Sequence, residues 1–307
     1  MTGSTADPAR PLAPGDRVGF VGLGRMGLPM LSRLAAAGYQ VVGHDTDATA
    51  RDRTSRAVPA ATVVDEAGAV ADRTRAVILM LPSSAAVQSV LGEQLARRLT
   101  PGQLVVDMGS SEPPETVRHA AALCERGIGF VDAPVSGGVS GAETGRLTIM
   151  IGGSKVHLEL VRPVLAVLGN RIVAVGSVGA GHAVKAINNL LSASHLLATS
   201  EAMVVAERFG LDIERVLDAI NTSSGRSGST EAKWPRFVLP QTYDSGFALQ
   251  LMLKDMEIAL SLARSVDSAA PLAEAAIRQW SAAAAALPAS ADHTEIARWV
   301  RERAEQG

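Results

Sequence analysis

The first 177 residues show short apolar runs that alternate with helical patterns. Continuous apolar runs of this length are typical of strands that are buried on both faces of a sheet. Alternation of strands with helices indicates a parallel, doubly wound sheet. The pattern predicts strands at 17–21, 40–44, 76–81, 103–107, 129–132, 148–151 and 171–175.

The pattern changes after residue 176, where helical periodicity continues and no strand pattern recurs. It predicts helices at 181–209, 212–221, 228–237, 247–265, 271–287 and 292–305. The chain has 307 residues, which exceeds the size of most single cores. We therefore predict an α/β domain over residues 16–177 and an all-α domain over 178–307. Residues 1–15 contain prolines and no apolar core segment, which predicts a disordered tail and not a signal peptide.

Composition narrows the choice of partners. The net charge of −2 gives no reason to expect nucleic acid or an anionic membrane. No apolar run approaches the ~18 residues of a membrane span. Cys124 is the single cysteine, so an intrachain disulfide is impossible, which favours a cytoplasmic protein. We predict no metal site.

A glycine-rich turn joins the first predicted strand to the first helix. It has the pattern G-x-G-x-x-G and consists of Gly22, Leu23, Gly24, Arg25, Met26 and Gly27. Gly22 allows the tight turn, Gly24 allows close approach of a pyrophosphate, and Gly27 allows close packing of helix and strand. This strand–turn–helix context predicts a Rossmann-type dinucleotide site.

Three further features bear on the same site. Asp45 ends the second strand, where a carboxylate accepts hydrogen bonds from ribose hydroxyls and repels a 2′-phosphate. Thr46 and Asp47 follow without an adjacent arginine, which favours NAD over NADP as the cofactor. An alternative is that these acids only cap the next helix, which suits Asp47 better than Asp45. Three other residues follow strands and are predicted at the cofactor crevice, although each could be a simple turn residue: Leu81, Pro82 and Ser110.

Residues 133–147 are too rich in glycine to predict the interior of a helix or strand. Within them, Ser136, Gly137 and Gly138 can offer backbone N–H groups and one hydroxyl to a small carboxylate. An ordinary flexible loop is the alternative.

The segment Gly179–Asn189 begins the long predicted helix at the domain boundary, where ligands often bind. Spacing of three and four residues predicts one polar face, formed by His182, Lys185, Asn188 and Asn189. An ammonium beside amides suits proton transfer to a substrate oxygen. A solvated helix face is the alternative. The apolar residues Val184, Ile187 and Leu191 are predicted on another face, where they can pack.

Four segments together resemble the β-hydroxyacid dehydrogenase family: GLGRMGLPM from Gly22, DAPVSGGVSGAETGRLTIMIGG from Asp132, GAGHAVKAINN from Gly179 and LKDM from Leu253. The resemblance implies that Lys185 is catalytic, that Asn189 lies at the substrate and that Ser136, Gly137 and Gly138 bind its carboxylate. It also implies that Ser110 supplies a nicotinamide-side hydroxyl and Lys254 a cofactor-side ammonium. Without the resemblance, Lys254 and Asp255 would be taken as a surface ion pair.

The resemblance implies an NAD-dependent enzyme that interconverts a small 3-hydroxy acid and its semialdehyde, and that forms a homodimer or homotetramer. Segments 221–226 and 141–145 are similar to 3-hydroxyisobutyrate dehydrogenases, whereas 292–294 is more similar to tartronate semialdehyde reductases. Gly109 replaces the hydroxyl residue that is usual in the family. An imine reductase and a catalytically silent dinucleotide-binding scaffold are further alternatives, and the presence of Lys185 argues against both.

Overall fold

A computed structural model of the protein describes residues 10–306. These residues divide into two compact units between Lys185 and Ala186. The division lies a few residues beyond the predicted boundary at 177–178, because the start of the long helix packs against the sheet. A Cβ on Gly181, for example, would lie 2.5 Å from the carbonyl oxygen of Met150.

The first unit is built on a sheet that has nine strands within the described residues. The strands are β1 (Arg17–Val21), β2 (Gln40–His44), β3 (Thr62–Val63), β4 (Ala76–Leu79), β5 (Leu104–Asp107), β6 (Gly129–Asp132), β7 (Val135–Ser136), β8 (Thr148–Gly152) and β9 (Arg171–Gly176). Their order is β3-β2-β1-β4-β5-β6-β8-β7, with β9 also paired to β8. The first six are parallel and in the order typical of dinucleotide-binding folds.

The predicted parallel, doubly wound sheet is confirmed, and within it β8 runs antiparallel to β6 and β7. Residues 137–147 between β7 and β8 are fewer than the dozen or more that a parallel crossover needs. Antiparallel pairing is the arrangement that such a short connection permits.

Helices cover both faces of the sheet, which explains the continuous apolar runs in its strands. On one face Phe20, Ile78 and Val106 share a core with the first and last helices of the unit. On the other face Val77 and Val105 share a second core with Val87 and Leu123, which belong to the helices Ser84–Ser89 and Pro113–Cys124. The helices that cover the sheet are α1 (Gly27–Ala36), α2 (Ala48–Ala57), α3 (Ser84–Ser89), α4 (Pro113–Cys124), α5 (Gly138–Thr144) and α6 (Lys155–Leu168), with a 3₁₀ turn at Ala67–Ala71 and a π-helical segment at Val90–Leu95.

Two expectations about irregular segments are wrong. The glycine-rich residues 133–147 contain β7 and α5, because their glycines with positive φ stand at the ends of α5 and the interior residues can be helical. Residues 10–15, expected to belong to a disordered tail, pack on the sheet unit. Leu12 is 2% exposed, and its N–H donates to the carbonyl of Leu160. The rest of the predicted tail, residues 1–9, lies outside the described residues.

The second unit is helical throughout its described residues. Its elements are α7 (Ala180–Arg208, which begins in the first unit), α8 (Ile213–Asn221), a π-helical segment (Ser229–Val238), α9 (Leu249–Ser265), α10 (Pro271–Ala286), a 3₁₀ turn (His293–Glu295) and α11 (Ile296–Gln306). Its core includes Trp234, Trp280 and Trp299. The helix predicted at 228–237 is π-helical, and Pro235 within it cannot donate the N–H that an α-helix uses. Among the described residues, no helix combines the length and hydrophobicity that a membrane crossing requires.

Candidate functional site

The glycine-rich turn between β1 and α1 has two glycines that the protein itself requires. Gly22 has a φ of 98°, and a Cβ there would lie 2.3 Å from the carbonyl oxygen of Met80. A Cβ on Gly27 would lie 1.8 Å from the carbonyl oxygen of Gly22. At Gly24, by contrast, a Cβ would meet nothing within 4 Å. The turn therefore leaves open space beside Gly24, which suits the approach of a pyrophosphate.

Asp45 at the end of β2 is half-buried and contacts this turn directly. Its Oδ2 accepts a hydrogen bond from the N–H of Leu23 at 2.6 Å, and its Oδ1 accepts one from the N–H of Asp47 at 2.9 Å. Arg25 is exposed, and Met26 is half-buried at the start of α1. Asp47 caps α2, as the alternative interpretation of that residue predicts.

A cavity of about 590 Å³ opens next to Asp45, and Thr46 and Arg51 are among the residues that line it. Arg51 is close to the β2 turn in space although it is not adjacent in sequence. Its guanidinium donates to the carbonyl oxygens of Asp45 and Thr46 and forms an ion pair with Asp65. No arginine directly follows Asp45 in the sequence, but in the folded protein Arg51 lies beside this turn.

The ends of β4 and β5 lie beside the glycine-rich turn. A Cβ on Gly22 would lie 3.3 Å from Cδ2 of Leu81, and a Cβ on Gly109 would lie 2.6 Å from the carbonyl oxygen of Leu81. Pro82 is exposed, and Ser110 is half-buried. The structure thus brings the glycine-rich turn, Leu81 and the Gly109 turn to one edge of the sheet, and this edge fits a dinucleotide.

The predicted carboxylate-binding residues lie after β6. Ser136 ends β7 and pairs with Thr148 of β8. Gly137 and Gly138 have φ values of 130° and 62° and are exposed. A Cβ on Gly138 would meet nothing within 4 Å, so the backbone of this turn faces open space.

Lys185 lies in the second turn of α7 and is half-buried. The start of this helix is held by Asp132, whose two carboxylate oxygens accept hydrogen bonds from the N–H groups of Gly179 at 2.8 Å and His182 at 2.9 Å. Burial raises the pKa of Asp132, and the neighbouring His182 and the two N–H donors oppose that rise.

His182, which is predicted to share one polar face with Lys185, is buried, whereas Lys185 is half-buried. The His182 side chain is fully buried in the sheet unit. Its Nδ1 lies 2.8 Å from Oγ1 of Thr116, and its Nε2 lies 3.7 Å from Oδ2 of Asp107. A position three residues from Lys185 is still near enough to the helix start to face the sheet instead of the solvent.

The second unit holds a polar group around Asp255 of α9. Nδ2 of Asn189 donates to Oδ2 of Asp255 at 2.6 Å, and Nζ of Lys254 lies 3.2 Å from Oδ1 of the same carboxylate. Asp255 is 1% exposed, so the interpretation of this pair as a surface ion pair is wrong. One buried carboxylate holds both Asn189 and Lys254.

Comparison with known proteins places the chain in a family. Residues 17–176 match the NAD binding domain of 6-phosphogluconate dehydrogenase, and residues 179–300 match the NAD-binding domain of NADP-dependent 3-hydroxyisobutyrate dehydrogenase. The chain belongs to the β-hydroxyacid dehydrogenase family. It is 37% identical over 264 residues to 2-(hydroxymethyl)glutarate dehydrogenase of Eubacterium barkeri, a match that covers 83% of this chain and 85% of the relative.

Two further relatives agree with this family. The chain is 35% identical to 2-hydroxy-3-oxopropionate reductase of Escherichia coli over 81% of this chain and 85% of the relative. The structure of Mycobacterium tuberculosis 3-hydroxyisobutyrate dehydrogenase with L-serine is similar with a TM-score of 0.87 and 30% identity, and it covers 94% of this chain and 99% of that one. The chain is therefore a dehydrogenase of this family that uses NAD, with NADP possible.

Proposed function

We propose that the chain interconverts a small 3-hydroxy carboxylic acid and its semialdehyde. The proposed substrate is 3-hydroxyisobutyrate or an acid similar to it. The observation that carries the proposal is that Lys185 and the proposed carboxylate-binding turn are both connected to the end of β6. Asp132, the last residue of β6, holds the start of the helix that carries Lys185. Ser136, Gly137 and Gly138 follow on the same chain segment only a few residues later.

The roles of the residues follow from their chemistry. Ser136, Gly137 and Gly138 bind the substrate carboxylate through N–H groups and one hydroxyl. Lys185 exchanges a proton with the substrate oxygen, and Asn189, four residues further along α7, orients that oxygen. A lysine is ordinarily protonated at neutral pH, so in the reductive direction its ammonium donates the proton to the carbonyl oxygen.

The cofactor is assigned to the edge of the sheet described above. Bound NAD supplies the hydride acceptor for the carbinol carbon of the substrate. Leu23, Gly24, Arg25 and Met26 of the glycine-rich turn would hold the pyrophosphate, and Asp45 would accept hydrogen bonds from the ribose. The remaining contacts are assigned to Gly22, Gly27, Leu81, Pro82, Ser110 and Lys254.

The test compares 3-hydroxyisobutyrate with its methyl ester, with NADH formation as the readout. Removing the carboxylate charge leaves its donors without an anion, at about 1.5–3 kcal/mol for each charge-assisted bond that is lost. We expect a kcat/KM for the acid at least tenfold above that for the ester, because ~1.4 kcal/mol corresponds to tenfold. Equal kcat/KM values would contradict the carboxylate site and favour an alcohol or imine substrate.

Reduction of tartronate semialdehyde is the second candidate. It is favoured by the segment Asp292–Thr294 and by the similarity to the Escherichia coli reductase. A substrate panel that includes tartronate semialdehyde with NADH separates the two specificities. Turnover of cyclic imines alone would instead indicate an imine reductase, and no turnover with any of these compounds would indicate a silent scaffold.

We further infer a homodimer or homotetramer that assembles through α7. Ile187 and Leu191 of its predicted apolar face are 46% and 52% exposed in the single chain, and Val205 further along the helix and Phe209 just after it are 68% and 81% exposed. Exposed apolar rows of this kind usually mark interfaces. Light scattering of the parent and of Phe209→Ser tests this, since a parent that is a monomer in solution would refute it.

A cytoplasmic location is supported by the single, exposed Cys124.

A further inference from the structure

We propose that Asp132 and His182 are positioning residues that fix the place of Lys185, an inference that rests on the proposed function. Neither side chain is available to touch a substrate, because Asp132 is 0% exposed and His182 is 1% exposed. Both act through the first turns of α7, and each connects that helix to a different strand end of the sheet.

Asp132 provides the first connection. The opening N–H groups of a helix have no partners within the helix, so a carboxylate that accepts from them fixes both its position and its direction. Asp132 accepts from Gly179 with Oδ1 and from His182 with Oδ2, which uses both of its oxygens. Because Asp132 ends β6, this bond pattern sets α7 relative to the segment that continues to Ser136. Lys185 follows His182 by less than one helical turn.

His182 provides the second connection. Its Nδ1 lies 2.8 Å from Oγ1 of Thr116 in α4, and the hydroxyl of Thr116 donates to the carbonyl oxygen of Glu112 at 3.0 Å. Its Nε2 lies 3.7 Å from Oδ2 of Asp107 at the end of β5. The ring is thus fixed between α4 and the end of β5.

Asp107 extends this arrangement to the cofactor side. Its Oδ1 accepts from the N–H of Gly109 at 2.9 Å, and its Oδ2 accepts from the hydroxyl of Ser111 at 2.8 Å. These two residues flank Ser110, the proposed nicotinamide-side hydroxyl. The buried groups therefore connect the Ser110 turn, the segment before Ser136 and the helix of Lys185 within a single unit. Small displacements at any of them alter the distance over which the proton and the hydride move.

The experiment is a double-mutant cycle on Asp132→Asn and Lys185→Ala, measured as the single-turnover rate of NADH formation from 3-hydroxyisobutyrate. Asn keeps the shape of the side chain but offers one acceptor to two N–H groups. We expect Asp132→Asn to lower the rate roughly tenfold to hundredfold, since a displacement of about 1 Å can cost that much. In the Lys185→Ala background the same substitution should have almost no effect, because there is no ammonium left to position.

A merely structural role would lower the rate by the same factor in both backgrounds, and that result would overturn the positioning role. The matched control is Asp292→Asn, which removes another buried carboxylate that caps helical N–H groups in the other unit. It should lower Tm while the rate of the folded enzyme stays close to that of the parent. If Asp132→Asn does not fold, Thr116→Val replaces it in the same cycle, with Thr116→Ser as the conservative variant that should restore the rate.

The proposed function and the positioning role can be contradicted separately. A Lys185→Ala variant that keeps the parental rate, or a parent that oxidises no hydroxy acid, would overturn the proposed function and the positioning role together. Loss of activity in Lys185→Ala, combined with equal effects of Asp132→Asn in both backgrounds, would overturn the positioning role alone.

Discussion

The roles of Gly24 and Gly27 in the dinucleotide turn can be separated by alanine substitution, because the structure gives the two glycines opposite surroundings. At Gly27 the new Cβ would lie 1.8 Å from the carbonyl oxygen of Gly22. That atom belongs to the backbone, so no side-chain rotation can relieve the contact. At Gly24 the new Cβ would meet no protein atom within 4 Å. Gly27→Ala should therefore damage the fold, and Gly24→Ala should damage only cofactor binding.

Gly27→Ala is expected to lower stability, whereas Gly24→Ala is expected to lower the affinity for NADH. Overpacking usually costs about 1–3 kcal/mol, and a contact this short with backbone places Gly27→Ala near 3 kcal/mol. For a unit of this size that lowers Tm by roughly 6–12 °C. Gly24→Ala should leave Tm unchanged or slightly raised, since Ala restricts the unfolded chain. A methyl group in the space of the pyrophosphate should weaken NADH binding by a similar 1–3 kcal/mol, which is roughly 5- to 150-fold in Kd.

Calorimetric unfolding and titration with NADH measure the two effects on the same preparations. The reasoning requires that stability and affinity separate across the pair. It would be refuted if Gly24→Ala bound NADH as tightly as the parent, because the open space would then not be the cofactor site. It would also be refuted if Gly27→Ala unfolded at the parental temperature.

The remaining predictions address the chemistry, the cofactor and the pH range. Lys185→Ala should bind NADH normally and lose ~10²–10⁴ in kcat, and a loss of only a few-fold would exclude it as the acid–base group. Asp45→Ser combined with Thr46→Arg should shift the kcat/KM ratio from NAD towards NADP, and a parent that already prefers NADP would contradict the ribose assignment. Burial opposes ionisation of Asp292, but hydrogen bonds, first of all with His293, hold its pKa below the ordinary value. Its contribution is therefore present above about pH 4 and lost as the pH falls further, so urea unfolding of Asp292→Asn should show a smaller loss below pH 4, and equal losses would disprove it.

The sheet could be predicted closely from the sequence because its strands are buried on both faces. The bounds of β1, β2 and β6 agree with the apolar runs, which end at Gly, Asp or a turn. The two-residue strands β3 and β7 were missed, since two residues are too few to show any periodicity. The direction of β8 was also missed, because pairing direction depends on the length and course of the connections and not on the apolar pattern of the strand.

Site residues whose motif is local in the sequence could be predicted, whereas those with distant partners could not. The glycine-rich turn could be predicted because its whole motif lies within one strand–turn–helix segment. Asp132 accepts a hydrogen bond from a residue 47 positions away, and Asp255 accepts one from a residue 66 positions away. No local sequence pattern predicts such pairs. The available signal was an acid at the end of a buried strand for Asp132, and an acid on the apolar side of a helix for Asp255. The burial of His182 could not be predicted for the same reason, since helical spacing alone does not show which polar residue faces the sheet.

The turn after β5 shows how a departure from the family pattern can be understood from the surrounding backbone. Gly109 stands where a hydroxyl residue is usual, and a Cβ there would lie 2.6 Å from the carbonyl oxygen of Leu81 and 3.1 Å from Oδ1 of Asp107. The β4 and β5 turns are thus closer together here than a side chain at 109 would allow. Ser111 cannot replace the missing hydroxyl, because it is 4% exposed and donates to Asp107. Ser110 is half-buried and lies between the two, so we propose that the nicotinamide-side hydroxyl of this turn is that of Ser110.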